Sequence, residues 1–309
     1  MNDSRASTSV LAWPRVPIGI RHMAVGAFWF SLMSVCVKLA GRRLPSMEIV
    51  FFRGLLTLGL SYAIIRRHGL ANPWGTHRPL LVLRGTLGAA ALCCFMFSLT
   101  HLPLGEATLI QYTNPIFAVI IAAVWFRERM RAAEFAALAG ALAGVIMVTR
   151  PSAIFGGAGG HIPVGHALIA LLGAAFAGSA YATIRRLRGE HPDVVVFYLP
   201  LMQIPMSIPF IASSWRWPTW PEWLLLIGMG ISTQLAQLNM TRGLQLERTA
   251  RATTTGYLQI VFAGVWGATI FGEHPGLWTF IGALVILGST VALVVMHPPK
   301  DQGTPSGTA

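Results

Sequence analysis

Ten long runs of apolar residues occupy most of the chain and decide which solvent it folds in. A bilayer core about 30 Å thick is crossed by a helix of about 20 mostly apolar residues, which is the approximate length of these runs. Only 11% of the residues are charged, against roughly one quarter in a soluble domain. The sequence therefore predicts an all-α membrane protein with ten transmembrane helices. The runs cover approximately residues 22–40, 46–65, 79–99, 103–126, 132–149, 164–184, 193–213, 221–240, 249–271 and 276–296.

The basic residues are concentrated in every second connection between the runs. If the N-terminus is cytoplasmic, most of the 23 lysines and arginines fall on the cytoplasmic side, and Lys38, Arg53 and Arg84 lie within runs. This is the positive-inside bias, so we expect a multi-pass protein of the cytoplasmic (inner) membrane with both termini in the cytoplasm. The same bias explains the net charge of +12. We therefore expect membrane lipids, and no nucleic acid, as partners.

Part of the fourth run is repeated in the ninth. Residues 112–128 read YTNPIFAVIIAAVWFRE and residues 257–273 read YLQIVFAGVWGATIFGE, without a gap between them. Each half then holds five helices, and because five is odd, the second half enters the membrane from the opposite side. The charges agree, since Arg127, Arg129 and Arg131 follow the fourth run whereas no lysine or arginine follows the ninth before the tenth.

We therefore expect two inverted five-helix repeats. Their predicted organisation is a cytoplasmic N-terminal segment 1–21, a first repeat 22–149, a connecting loop 150–163, a second repeat 164–296 and a cytoplasmic tail 297–309.

Both halves share a pattern in which a small residue and a tyrosine precede an apolar run that closes on Phe-x-Glu, followed by a Gly-rich helix. The first half contains VKLAGRRLPSMEIVFFRGLL and GEATLIQYTNPIFAVIIAAVWFRERM, and the second contains ARATTTGYLQIVFAGVWGATIFGE and FIGALVILGSTVALVV. These stretches resemble the EamA domain of the drug/metabolite transporter superfamily. The second half departs from the pattern at Ile260, where the first half has Pro115. The resemblance implies a ten-helix bundle with a central cavity and a role in moving small metabolites or drugs, often outward.

Inverted repeats are typical of secondary transporters, because rocking one half against the other exposes a midplane site to each side in turn. The sequence has no GxxxxGK[ST], HExxH or GxSxG motif. We therefore expect a carrier of small-molecule solutes rather than an enzyme, with no cofactor and no metal. Cys36, Cys93 and Cys94 are expected to be buried thiols. The alternatives are a membrane-embedded enzyme acting on lipid-linked substrates, and a receptor or scaffold with a transporter fold.

Polar and aromatic side chains within the runs are the candidate substrate contacts. Polar groups at this depth are costly and usually face the bundle interior or a water-filled path. Lys38 shares a helical stripe with Ser34, and it either binds a substrate anion or extends to the interface. The candidates are Trp29, Ser34, Lys38, Gln111, Tyr112, Asn114, Tyr181, Gln234, Gln237, Tyr257 and Gln259.

Pro115 predicts a bend in the fourth run, because it lacks the amide hydrogen that the Gln111 carbonyl would have received. The bend would present Gln111 and Asn114 to a cavity, and Thr255 and Gln259 form a similar polar pair in the ninth run. These groups either bind substrate or form interhelical hydrogen bonds.

Two further features have predicted partners. Arg53 lies too deep to reach the interface easily, so a structural ion pair with Glu106 is expected, with a gating role for the carboxylate as the alternative. Gly140 and Gly144 form a GxxxG motif, which indicates either internal helix packing or the face of a homodimer.

Overall fold

The computed structural model describes residues 16–70, 72–102, 104–127, 130–149, 163–211, 215–272 and 276–295. All regular secondary structure in these residues is helical, which confirms the all-α fold class. The helices are α1 (Ile18–Ala40), α2 (Ser46–Arg67), α3 (Arg78–His101), α4 (Leu104–Gln111), α5 (Asn114–Phe126), α6 (Ala132–Thr149), α7 (Val164–Arg186), α8 (Pro192–Ile211), α9 (Trp220–Leu246), α10 (Thr249–Gly256), α11 (Leu258–Ile270) and α12 (Leu277–Val295).

Seven segments of the described chain are long and apolar enough to cross a bilayer by themselves. They are Ile18–Ala40, Ser46–Arg67, Arg78–Leu99, Ala107–Phe126, Ala132–Thr149, Val164–Arg186 and Pro192–Ile211. Helix α12 holds a shorter apolar stretch, Leu277–Ala292. The helices outside this set include α9, which carries Gln234 and Gln237, and the threonine-rich α10. The number of ten spans therefore stays a prediction.

The fourth run is two helices rather than one, and the break lies where the proline predicted a bend. Helix α4 ends at Gln111 and α5 begins at Asn114, with Pro115 in its first turn. The Asn114 side-chain amide donates a hydrogen bond of 2.8 Å to the Gln111 carbonyl. This carbonyl would otherwise lack the helical donor that proline removes. Asparagine and proline therefore act together to make a stable break.

The ninth run is also broken at the equivalent place, although it has no proline there. Helix α10 ends at Gly256 and α11 begins at Leu258. The Ile260 amide, at the position of Pro115, donates to the Tyr257 carbonyl at 2.9 Å, which is a tighter turn than the α-helical spacing. The departure from the family pattern at Ile260 therefore does not remove the break.

The two breaks contact each other through a pair of repeat-equivalent tyrosines. The Tyr257 hydroxyl donates a hydrogen bond of 2.7 Å to the Tyr112 carbonyl, and the two ring centroids are 5.8 Å apart. Tyr257 is 1% exposed. The irregular backbone of the first half is thus satisfied by a side chain of the second, at the centre of the bundle.

The helix contacts follow the pattern that a two-fold relation between the halves requires. Helix α1 packs along α9 and α3 packs along α7, so each contact becomes the other when the halves are exchanged. The contacts of α5 with α7 and of α1 with α11 are related in the same way, whereas α2 with α8 and α6 with α12 are self-equivalent. The strongest helix pairs therefore join the two halves rather than helices of one half.

The GxxxG motif is used for internal packing. A Cβ atom added to Gly144 of α6 would lie 2.7 Å from the Gly282 carbonyl oxygen of α12, and one added to Gly282 would lie 2.6 Å from the Gly144 carbonyl oxygen. Gly140 lies against Ser289 of the same partner helix. Because α12 covers this motif, a homodimer would have to use another face, and dimerisation itself stays a prediction.

We expect Gly282→Ala to destabilise the protein by about 1–3 kcal/mol, because the added methyl group would force α6 and α12 apart. Gly288→Ala is the matched control on the same helix, since a Cβ there meets no atom within 4 Å. The measurement is thermal unfolding of the purified proteins in detergent. Equal melting temperatures for the two variants would contradict the close α6–α12 contact.

We expect Tyr257→Phe to lower the stability by about 1 kcal/mol, because the Tyr112 carbonyl loses its donor in a buried setting. Tyr112→Phe makes the same chemical change at the equivalent position, where no protein partner of the hydroxyl is found within the described residues. It should therefore have the smaller effect on the melting temperature. If Tyr112→Phe lowered the melting temperature more than Tyr257→Phe does, the hydrogen bond from Tyr257 to the Tyr112 carbonyl would not be a main source of stability.

Candidate functional site

A cavity of about 230 Å³ lies at the centre of the bundle, between the two halves and beside the first helix break. A smaller cavity of about 60 Å³ adjoins it and shares part of its wall, including Tyr112 and Gln259. The larger cavity is lined by residues of both halves, among them Phe30, Met33, Arg53, Arg84, Phe95, Gln111, Tyr112, Asn114, Tyr181, Leu199, Gln237, Met240 and Gln259.

The break between α4 and α5 determines which polar groups reach this cavity. It places Gln111, Tyr112 and Asn114 together in the wall of the cavity, whereas a continuous helix would put Tyr112 and Asn114 on opposite faces. Helix α7 approaches closely at Gly178, where a Cβ would lie 2.6 Å from the Asn114 carbonyl oxygen. This contact brings Tyr181, one turn further along α7, to the cavity.

Two arginines lie in the wall, and the described side chains that hydrogen-bond to them are neutral. Arg84 of α3 is 2% exposed and donates through Nη2 to Gln237 Oε1 at 3.2 Å. Arg53 of α2 donates through Nη2 to Gln203 Oε1 at 3.1 Å. Its Nη1 lies 3.9 Å from Met33 Sδ. Burying a charge without an opposite charge is costly, so this part of the protein holds strong positive potential at a free-energy cost.

Both arginines belong to the first half, and both amides that hold them belong to the second. Gln203 of α8 is itself fixed, because its Nε2 donates to the Val50 carbonyl at 2.5 Å. The predicted partner of Arg53 was Glu106, whose side chain lies outside the described residues. That ion pair therefore stays a prediction, and the described contacts of Arg53 are with neutral groups.

The structure brings together six of the predicted contact residues at the central cavity. They are Gln111, Tyr112, Asn114, Tyr181, Gln237 and Gln259. Tyr257 lines the smaller adjoining cavity.

Four predicted contact residues lie elsewhere. Gln234 is buried between α2 and α9, where it accepts a hydrogen bond of 3.0 Å from Ser61. Trp29 packs edge-on against Phe28 and is absent from the described wall of either cavity. Ser34 and Lys38 line a separate cavity of about 210 Å³ between α1 and α11. There the Lys38 ammonium lies 4.2 Å from the centroid of the Phe271 ring.

Arg84 and Gln203 are features of the site that the sequence prediction missed. Arg84 stands about two turns into the third run, and the argument from depth that singled out Arg53 applies to it equally. Gln203 is an amide in an otherwise apolar run with three prolines. Its link to Arg53 depends on how α2 packs against α8, which no local pattern reveals.

Comparison with known proteins agrees with this architecture. The EamA-like transporter family matches residues 17–150 and 165–295. The chain is 32% identical to a pseudopaline exporter of Pseudomonas aeruginosa over 89% of this chain and 95% of the relative. It is 24% identical to a riboflavin transporter of Brucella anthropi, over 89% of this chain and 96% of that protein. A solved crystal structure with 19% identity superposes with a TM-score of 0.77, covering 89% of this chain and 96% of that one, which shows a shared fold.

The duplicated match covers both halves and leaves out little more than the ends and the connecting segment. The relatives named above are transporters of small molecules. The chain belongs to the EamA-like transporter family.

Proposed function

We propose that this protein is a secondary transporter that carries a small organic solute across the cytoplasmic membrane by alternating access, with the central cavity as its binding site. The observation that carries the proposal is the cavity itself, which is lined by residues of both halves and by polar groups at a helix break. Transporters bind their substrates at such discontinuous helices near the midplane. The transporter relatives support the same function.

The proposed topology has ten spans, with α4–α5 and α10–α11 as the broken fourth and ninth spans. The distribution of basic residues supports a cytoplasmic location for both termini and opposite orientations of the two halves. In this orientation the start of α1 and the end of α9 face the cytoplasm. The turn between α1 and α2 faces outward.

Ion pairs between the halves at both ends of the bundle are the proposed gates. At the proposed cytoplasmic end, the buried Glu134 accepts from Arg248 at 2.7 Å and lies 3.4 Å from Arg251 Nε. At the opposite end, Arg43 forms an ion pair with Glu222. Alternating access would break one set at a time, since each set joins residues of different halves.

A membrane-embedded enzyme is the weaker alternative. The described lining of the central cavity holds arginine, amide and tyrosine side chains but no serine, cysteine, histidine or carboxylate. A hydrolytic reaction needs a nucleophile and a base within hydrogen-bonding reach of each other. The lining of the cavity is better suited to binding a solute than to cleaving one.

We expect Leu92→Trp to abolish transport, because the indole would fill part of the central cavity. Leu83→Trp on the same helix is the matched control, since Leu83 is an exposed residue of α3 that does not line the cavity. Proteoliposomes are loaded with an equimolar mixture of amino acids, carboxylic acids, nucleosides and amines, and the solutes released are measured by mass spectrometry. Release that is equal for wild type and Leu92→Trp, or absent from wild type, would contradict the proposed function.

We expect Glu134→Gln and Arg43→Gln to shift the transporter in opposite directions, because each weakens the link at one end. A Leu92→Cys reporter in a background without the three native cysteines is labelled from either side of sealed vesicles. Glu134→Gln should increase labelling from the cytoplasmic side, and Arg43→Gln should increase labelling from the outside. If both variants increased labelling from the same side of the membrane, these ion pairs would not gate the cavity.

A further inference from the structure

Two arginines at the central cavity carry guanidinium donors that no described residue accepts. A guanidinium has five N–H donors and no acceptor. The Nε atoms of both Arg53 and Arg84 are buried and have no hydrogen-bond partner within the described chain. Arg84 is more than nine-tenths buried. Both arginines line a cavity large enough for a ligand, so their charge is available there, although the two Nε atoms themselves are covered by neighbouring atoms.

The described wall of the cavity holds no carboxylate that would neutralise these charges. The described side chains around it are apolar, aromatic or amide groups, with Arg53 and Arg84 as the charged residues. Gln203 and Gln237 each supply only the partial charge of an amide oxygen. A positively charged solute would add a third like charge at close range, whereas an anion would supply the missing counter-charge.

The type of residue narrows the ligand further. Arginine presents a planar fork that matches the oxygen pair of a carboxylate or phosphate, and it binds such groups through two parallel hydrogen bonds. Two arginines on different helices can each bind one oxyanion group. A solute with two such groups therefore matches them better than a solute with a single group. The aromatic rings of Phe30, Tyr112 and Tyr181 provide surfaces for the carbon skeleton between them.

We propose that the transported solute is an organic acid with at least two oxyanion groups, carboxylates or phosphates, that bind Arg53 and Arg84 in the central cavity. This inference rests on the proposed function, since it identifies the substrate class of the same cavity. Gln203 and Gln237 then act as acceptors that hold the arginines while the cavity is empty. Because both glutamines belong to the opposite half, binding of the acid exchanges contacts between the halves for contacts with the solute.

Ligand-induced thermal stabilisation of the purified full-length protein tests this substrate class. The probes are citrate and succinate for carboxylates, glycerol 3-phosphate and pyrophosphate for phosphates, succinamide as a neutral analogue and putrescine as a cation. We expect at least one acidic probe to stabilise the wild type more than succinamide and putrescine do. Stabilisation by citrate or succinate indicates carboxylate recognition, whereas stabilisation by glycerol 3-phosphate or pyrophosphate indicates phosphate recognition. Equal effects of acidic, neutral and cationic probes would overturn the inference.

Arginine variants separate a binding role from a structural one. Arg53→Gln and Arg84→Gln should each weaken binding of the acidic probe at least about tenfold, through loss of charge-assisted hydrogen bonds. Without ligand they should melt at the wild-type temperature or above it, because an unpaired buried charge has been removed. Arg42→Gln, an exposed residue outside the cavity, is the control. A lower melting temperature with unchanged probe affinity would mean that the arginines are structural, and would overturn the inference.

Arg84→Lys keeps the charge but loses the planar fork, so it should bind the probe with intermediate affinity. This variant keeps the test decisive if a glutamine variant does not fold.

The proteoliposome mixture distinguishes failure of this inference from failure of the proposed function. Release of acidic solutes by wild type, reduced at least about tenfold in Arg84→Gln, supports both. Release of neutral or cationic solutes alone overturns the acid inference and leaves transport standing. If no solute is released, transport is contradicted, and the outcome of probe binding still decides whether the cavity recognises acids.

Discussion

The backbone of a helix can be interrupted at membrane depth only where protein or a water-filled cavity covers the polar groups that are set free. The described chain has two such interruptions, at Tyr112 and Tyr257, and they lie against each other. The second half supplies the donor for a carbonyl at the first break, and the two tyrosine rings pack against each other. The extensive contacts between halves and the position of the central cavity both follow from this requirement.

The cavity is lined by polar and charged side chains that are costly to bury in lipid, and here they can contact a solute. Tyr112 and Asn114 reach it together because the helix is broken, and Tyr181 reaches it because Gly178 allows α7 to approach the break. Arg53 and Arg84 are tolerated because Gln203 and Gln237 give them acceptors across the boundary between the halves. A bound acid would replace those acceptors, which links occupancy of the cavity to the relative stability of different arrangements of the halves.

Particular residues show how much of this arrangement the sequence could predict, and why the rest could not be predicted. Pro115 and its neighbours predicted the first break, because proline has a local effect on backbone hydrogen bonding. The second break arises without proline, and the alignment with the first half was its only signal.

Lys38 was predicted at the substrate site together with Ser34, but both line a cavity between α1 and α11. Helical periodicity identifies a shared face, whereas the choice between two cavities depends on which helices cover that face. The prediction of a partner for Arg53 was limited in the same way, because Gln203 lies 150 residues away and reaches Arg53 only in the packed bundle.

Distances between spin labels at the two ends of the bundle test the central claim most directly. One pair, Arg66→Cys with Leu246→Cys, spans the halves at the proposed cytoplasmic end, and another, Arg42→Cys with Leu224→Cys, spans them at the opposite end. Alternating access predicts two distances for each pair, and a solute that lengthens one pair should shorten the other. A single distance at both ends that no transported solute changes would contradict a carrier whose two halves rock around a central site.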